Sequence, residues 1–185
     1  MKVLFIGGSP RKGNTSAALD ALRRGFSNID GIELSQINAA EMKISPCTAC
    51  DACRVPGHTD RCSADDDTNP VMEAVMDADF LVFATPVYWW GVTAQLKQLL
   101  DKFYSRTGQL AACKKRLGLI VVGEMPVDNL QYVLIEKQFR CICDYLGWDM
   151  VFCKTYSAKA KGELAENNQA MAELEELYLE IGVSK

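Results

Sequence analysis

The sequence predicts an α/β fold, a doubly wound five-stranded parallel sheet in the order 2-1-3-4-5 with a cysteine-rich insertion after strand two. Three observations carry this. Short, solidly apolar runs alternate with amphipathic stretches, the pattern of parallel strands covered on both faces by helices. The first run, Lys2–Gly8, ends in glycine and passes directly into a polar loop and a helix. Five strands at this spacing suit an open sheet whose chain order reverses between strands one and three. The loops after strands one, three and four then meet at one carboxyl edge.

Each element has its own signal. Lys2–Gly8 is a continuous apolar run and predicts a buried strand. Thr15–Phe26 predicts a helix, with Ala18, Leu19, Leu22 and Phe26 on one face. Glu33–Ile37 is a short second strand. Residues 40–69 form the one long insertion, and loops of that length are usually functional or disordered. Pro70–Met76 predicts a helix with Asn69 as N-cap and Pro70 at the first helical position. Asp79–Ala84 is the third strand, Thr93–Tyr104 a helix, Leu117–Gly123 the fourth strand and Leu130–Leu146 a helix. Trp148–Cys153 is the fifth strand, and Leu164–Ile181 a single acidic closing helix.

Composition bounds the function. The 185 residues suffice for one domain, 1–185, with a substantial core. Hydrophobic residues make up 49% and charged residues 24%, as in soluble globular proteins. A net charge of −4 argues against non-specific binding to nucleic acid. Lys114-Lys115-Arg116 is too short a basic run to offset it, and reads as the solvated lead-in to a strand. The apolar run at the N-terminus is too short for a signal peptide, and no run reaches the length of a membrane span. The expectation is a cytoplasmic protein that does not engage a membrane. Its eight cysteines would there be thiols or metal ligands rather than disulfides.

The loop Gly7-Gly8-Ser9-Pro10-Arg11-Lys12-Gly13-Asn14-Thr15-Ser16 combines hydroxyls, an amide, two cations and freed backbone N–H groups at the start of a helix. That combination binds a phosphate. Three ligands compete. Gly8-x-x-x-x-Gly13-Asn14-Thr15 has the glycine spacing of a triphosphate loop, but Asn14 stands where a lysine must reach the β- and γ-phosphates. A dinucleotide fingerprint needs Gly-x-Gly-x-x-Gly, which the order here does not supply. A flavin mononucleotide monophosphate, held by hydroxyls and amides, fits. An ordinary strand-to-helix turn remains open, although it has no need of four hydrogen-bonding side chains.

After the third strand, Thr85-Pro86-Val87-Tyr88-Trp89-Trp90-Gly91 sets three aromatic rings beside that loop. A flat isoalloxazine ring would suit them, and backbone amides here would tune it. The same rings could instead fill a core or a subunit contact. Gly123-Glu124, after strand four, should approach the same place by position alone.

Cys47, Cys50, Cys53 and Cys62 are spaced Cys-x2-Cys-x2-Cys-x8-Cys. Two-residue gaps let three thiolates curl around one face of a small cluster, as the first three spacings of bacterial ferredoxins do. A [4Fe–4S] cluster, zinc and uncoordinated thiols all remain open. Cys113, Cys141, Cys143 and Cys153 read as small hydrophobes. His58, the only histidine, reads as an exposed loop residue within the insertion.

Gly-Gly-Ser-Pro-Arg-x-Gly-Asn-Thr-Ser resembles the FMN phosphate loop of flavodoxin-like NAD(P)H-dependent oxidoreductases. The Cys-x-x-Cys-x-x-Cys and Thr-Pro-Val-Tyr-Trp segments are similar to those of its iron–sulfur flavoprotein branch. In that branch the gap to the fourth cysteine is usually shorter than here. The helix from Ala94-Gln95-Leu96-Lys97 to Asp101-Lys102 also looks like the family's, although Gln95, Lys97 and Asp101 are better explained as solvated helix residues, with Lys97 and Asp101 an i,i+4 pair.

The resemblance covers nearly the whole chain and implies FMN as cofactor and NAD(P)H as substrate. Ser9, Arg11, Lys12, Gly13, Asn14, Thr15 and Ser16 would surround the phosphate. Pro86, Val87, Tyr88, Trp89, Trp90, Gly123 and Glu124 would border the ring. No side-chain acid or base is required, because the flavin carries the chemistry. Two functions follow as expectations. One is an FMN-dependent reductase passing electrons to a small acceptor such as flavin or quinone. The other is an iron–sulfur electron carrier exchanging electrons with a ferredoxin-like protein. A homodimer or homotetramer is implied, with Trp89, Trp90 and Gly91 near the contact.

Overall fold

The computed structural model of the chain describes residues 1–57 and 60–182. His58 lies outside the described residues. Five strands, β1 (Lys2–Gly7), β2 (Glu33–Asn38), β3 (Phe80–Pro86), β4 (Arg116–Gly123) and β5 (Asp149–Ser157), form one sheet in the order β2-β1-β3-β4-β5. All neighbouring pairs are parallel. The flavodoxin-like order expected from the sequence is therefore present.

Alternation along the central strands fills two cores. Leu4, Ile6, Leu81, Phe83, Leu119 and Val121 face one side. There they meet α2 (Thr68–Asp77), α3 (Ala94–Lys102), α4 (Thr107–Ala112) and α5 (Leu130–Leu146), with Phe83 and Phe139 in ring contact at 5.1 Å. Val3, Phe5, Phe80, Val82, Ile120 and Val122 face the other. They are covered by α1 (Asn14–Phe26) and by α6 (Glu163–Glu166) and α7 (Asn168–Glu176). No helix among the described residues is long and apolar enough to cross a membrane.

Four boundaries differ from the sequence expectation. The helix before β3 starts at Thr68 with Asp67 as its N-cap. Asn69 and Pro70 therefore lie inside its first turn, where proline loses no helical hydrogen bond. The Asn69 side chain bonds the backbone of Cys62 instead, accepting from its N–H (3.0 Å) and donating to its carbonyl (2.8 Å). The helix expected over Thr93–Tyr104 ends at Lys102, and a tight turn over Phe103–Arg106 leads into α4, which the sequence reading lacked.

β5 runs to Ser157, four residues past its expected end, because Lys154–Ser157 keep pairing with Ile120–Gly123. Lys154 on this edge strand reaches Glu173 and Glu180, so its polar residues are covered by the closing helices. The expected closing helix is broken at Asn167, whose side chain accepts from the Ala170 amide and caps a new helix. The last turn, Leu177–Ile181, is 3-10.

Candidate functional site

The carboxyl edge of the sheet holds a cavity of about 460 Å3, within the range of small-molecule sites. The chain builds it from three loops, as the topology requires, and adds a fourth. Its phosphate-loop side consists of Ser9, Arg11, Gly13, Asn14 and Thr15. The β3 loop gives Pro86, Val87, Tyr88, Trp89 and Trp90, and the end of β4 gives Val122, Gly123 and Glu124.

The loop is shaped by its own side chains. The Ser9 hydroxyl accepts from the Arg11 amide (3.3 Å) and donates to the Arg11 carbonyl (2.7 Å), folding the chain over Pro10. Ser16 does the same for Gly13, accepting from its amide (2.8 Å) and donating to its carbonyl (2.9 Å). The buried Thr93 hydroxyl donates to the Gly8 carbonyl and accepts from the Leu96 amide, so one side chain joins the loop to the start of α3. At the start of α1 the Asn14 and Thr15 amides have no intrahelical acceptor and carry the positive end of the helix dipole.

Two residues expected at the phosphate do not line this cavity. Lys12 and Ser16 line a second groove, about 500 Å3, between the loop and the end of β2. The reason for Ser16 is its bond to Gly13. Asn14 lines the first cavity, but its side-chain amide is engaged: it donates to the Ala160 carbonyl (2.8 Å) and accepts from the Leu164 backbone N–H (3.1 Å), leaving only the Asn14 backbone N–H free. This bridge draws the loop after β5 over the cavity.

That loop supplies residues the sequence reading missed. Ala158, Lys159 and Lys161 join the lining, as do Met125, Asn129 and Gln131 beyond β4. Glu163 fixes the loop by accepting from the Lys159 (2.7 Å) and Ala160 (2.6 Å) amides. Arg11, Lys159 and Lys161 outnumber the single carboxylate of Glu124, so the lining is net positive. The only local signal for these lysines was the short polar run Lys159-Ala160-Lys161-Gly162, which is indistinguishable from an ordinary surface turn.

The aromatic loop is a two-residue hairpin. Tyr88 and Gly91 exchange backbone bonds at 2.9 and 3.0 Å, and Trp89 (φ 48°) and Trp90 (φ 61°) both take left-handed conformations. Such turns favour Asn-Gly, and two tryptophans there cost roughly 1–3 kcal/mol each. Trp89 is 91% exposed, its ring edge-on to Trp90 at 5.3 Å. The Val87 amide donates to the Val122 carbonyl (2.8 Å) and those of Tyr88 and Gly91 bond across the hairpin. Among the described residues the Trp89 and Trp90 amides of this loop make no backbone hydrogen bond.

FMN fits this cavity on two further grounds. Gln131 is 7% exposed and lines the cavity, and among the described residues its Nε2 makes no well-aligned hydrogen bond, with only the Tyr132 hydroxyl as a weak neighbour. A buried amide donor without a well-aligned acceptor is costly and calls for a ligand that accepts from it. Gly123 also leaves room: a Cβ there would stand 2.8 Å from Gln131 Nε2 and 3.0 Å from Val87 Cγ2. Gly123→Ala should therefore displace both side chains at a cost of roughly 1–3 kcal/mol. The expected result is about tenfold weaker FMN binding or more in a fluorescence titration, since 1.4 kcal/mol is a factor of ten.

The four clustered cysteines line a separate cavity of about 240 Å3, together with Ser45, Asp51, Ser63, Lys102 and Tyr104. The segment before α2 wraps around it, with Ala49 (φ 53°) and Asp51 (φ 54°) left-handed between the cysteines. The Arg54 guanidinium lies 4.0 Å over the ring of Tyr104, which lines one wall. Cys50 is shifted toward thiolate, chiefly by a hydrogen bond from the Ala52 amide and then by Ser63, whereas burial raises Cys53. Among the described residues no three Cys, His, Asp or Glu side chains stand ready to grip a single metal ion. The four cysteines share the lining of that cavity without converging on one point. The remaining cysteines differ in kind: burial pushes Cys143 up to about 11 and Cys153 up to about 12, so both are inert thiols at neutral pH.

A flavodoxin-like sheet with a cationic, amide-rich phosphate cradle at its switch point defines a nucleotide-cofactor-binding α/β protein. Residues 1–140 match the family of NADPH-dependent FMN reductases, and the chain belongs to that family. An iron–sulfur flavoprotein of Methanosarcina thermophila is 33% identical over 146 residues, 79% of this chain and 73% of that protein. An iron–sulfur flavoprotein of Methanocaldococcus jannaschii is 36% identical over 103 residues, 55% of this chain but only 51% of that protein. The chain thus aligns with about half the length of several of the curated relatives it matches. Among solved structures, the NAD(P)H:quinone oxidoreductase of Methanothermobacter marburgensis superposes with a TM-score of 0.75. The superposition covers 100% of this chain and 98% of that one at 16% identity, a likeness of fold.

Proposed function

We propose that the chain is an FMN-dependent oxidoreductase that moves electrons from NAD(P)H to a small acceptor such as a flavin or quinone. One observation carries the reading: a single cavity joins a cationic phosphate cradle to a rim of aromatic rings and a poorly satisfied amide donor. Family membership supports it. Bound there, FMN would supply the conversion between hydride and single-electron transfer.

The protein's own part is binding and orientation. Arg11, Lys159 and Lys161, with the Asn14 and Thr15 amides, balance the phosphate charge. Gln131 Nε2 and the Trp89 and Trp90 amides offer donors to the ring. Pro86 and Val87 form the apolar side. Trp89, Trp90, Met125 and Val127 leave an exposed apolar rim, the surface a homo-oligomer would cover.

A second reading, an electron carrier working with a ferredoxin-like protein, is favoured by the cysteine-lined cavity and by the relatives' name. Cys47, Cys50, Cys53 and Cys62 would be the ligands of a [4Fe–4S] cluster there. Anaerobically purified protein separates the two. Bound FMN with NADH or NADPH oxidation establishes the reductase. FMN with about four irons per chain, inert to both nucleotides but reduced by a ferredoxin, establishes the carrier. Absence of FMN after reconstitution rejects both.

A further inference from the structure

Lys102 is the last residue of α3 and only 4% exposed. It closes the inner wall of the cavity that the four cysteines line. Its ammonium lies 3.6 Å from the Cys62 sulfur, 3.4 Å from the Ser45 hydroxyl and 4.0 Å from an Asp66 carboxylate oxygen. A buried ammonium needs anionic or hydrogen-bonding partners.

Asp66 is the one carboxylate within ion-pair distance among the described residues, and it is already committed. It accepts from the Ser45 amide (2.8 Å), the Ser45 hydroxyl (2.6 Å) and the Thr68 amide (2.9 Å). Burial works to raise its carboxyl, but these Ser45 and Thr68 bonds outweigh it and hold the carboxyl well below the usual range. Asp66 thus stays charged while pinning the start of the cysteine segment at Ser45. The ammonium it anchors is turned toward sulfur.

We propose that Lys102 is the charge-balancing residue of the cysteine site, holding its ammonium against the Cys62 sulfur so that it offsets the negative charge of a thiolate-bound iron–sulfur cluster and raises that cluster's reduction potential. The inference rests on the [4Fe–4S] reading given above. Four thiolates leave such a cluster net negative, and reduction adds one more electron without breaking a bond. Net charge and contacts to sulfur are among the quantities that set cluster potentials. A cation in a low-dielectric wall acts on that charge far more strongly than one in water. Lys102 is a positioning residue here, since it is not a ligand.

The test compares the full chain with Lys102→Met and Lys102→Arg. Each is reconstituted with iron and sulfide under anaerobic conditions, assayed for iron, and titrated with dithionite in the presence of redox mediators. Circular dichroism checks folding. Lys102→Met should either retain iron and titrate at a lower potential, or lose iron while folded. Lys102→Arg should return both quantities toward the parent. The flavin potential serves as an internal reference and should stay in place.

Asp66→Asn provides a second arm with the opposite sign. It removes the competing anion and should shift the cluster potential upward, as charge acting through this wall requires, while the Lys102→Arg rescue separates charge from a merely structural role. Full iron at the parental potential in Lys102→Met overturns the role of Lys102 and leaves the cluster standing. If Lys102→Met does not fold, an unmoved or lowered potential in Asp66→Asn overturns it. A parent protein that takes up no iron overturns the cluster reading and this role together.

Discussion

Gly25→Ala should destabilise the protein by roughly 2 kcal/mol. Gly25 lies one residue before the end of α1, and a Cβ there would stand 2.0 Å from the Glu175 carbonyl oxygen on α7. On an exposed helix the same change would gain about 1 kcal/mol from helix propensity. Here the two backbones touch, and overpacking of this severity costs roughly 3 kcal/mol. The clash therefore decides the sign. Separating α1 from α7 would also loosen Leu22, Phe26, Leu174 and Tyr178, which share one core. Urea unfolding measures the difference; a variant as stable as the parent would show that α7 does not dock as described.

Thr93→Val should cost about 2–4 kcal/mol and weaken FMN binding. Two losses combine. The hydroxyl caps α3 through the Leu96 amide, and removing such a cap costs roughly 0.5–2 kcal/mol. It also satisfies the buried Gly8 carbonyl, and an orphaned buried acceptor costs roughly 1–3 kcal/mol. Valine keeps the shape, so packing contributes little. Thr93→Ser keeps the hydroxyl and should recover most of the stability. Because Gly8 begins the phosphate loop, the valine variant should also release FMN more readily, measured by fluorescence on still-folded protein. Loss of stability with unchanged FMN affinity would detach the loop's geometry from α3.

Much of this was legible from local pattern. Leu4, Phe5 and Ile6 form an unbroken apolar run that only a doubly covered strand accommodates, and glycine with hydroxyl residues directly after it mark a phosphate-binding turn. The same holds for Asp79–Ala84 followed by Thr-Pro-Val-Tyr. Strand order followed from alternation, and strand order by itself brought the three loops to one edge. Ser9, Arg11, Thr15, Pro86–Trp90 and Gly123 could thus be named from the sequence and lie around one cavity.

What was not legible depends on residues far apart in the chain. Lys159 and Lys161 enter the cavity because Asn14 holds the Ala160–Leu164 backbone, a contact across 146 to 150 residues. Gln131 becomes a buried donor because Gly123 leaves space beside it. The closing helix breaks at Asn167, where a polar residue in an acidic stretch gave no sign that it would act as a cap.

Lys102 stood in the sequence only as the end of the helix that begins at Ala94, and its burial beside Cys62 comes from the cysteine segment folding over it. The sequence by itself determined the fold, the phosphate loop and the grouping of the cysteines. Each of these is written in periodicity or spacing within a few residues, where backbone sterics and burial act directly. The tertiary structure alone decided which charges are buried and which lysines line the cavity. Those are set by packing between distant segments, and no local pattern encodes it.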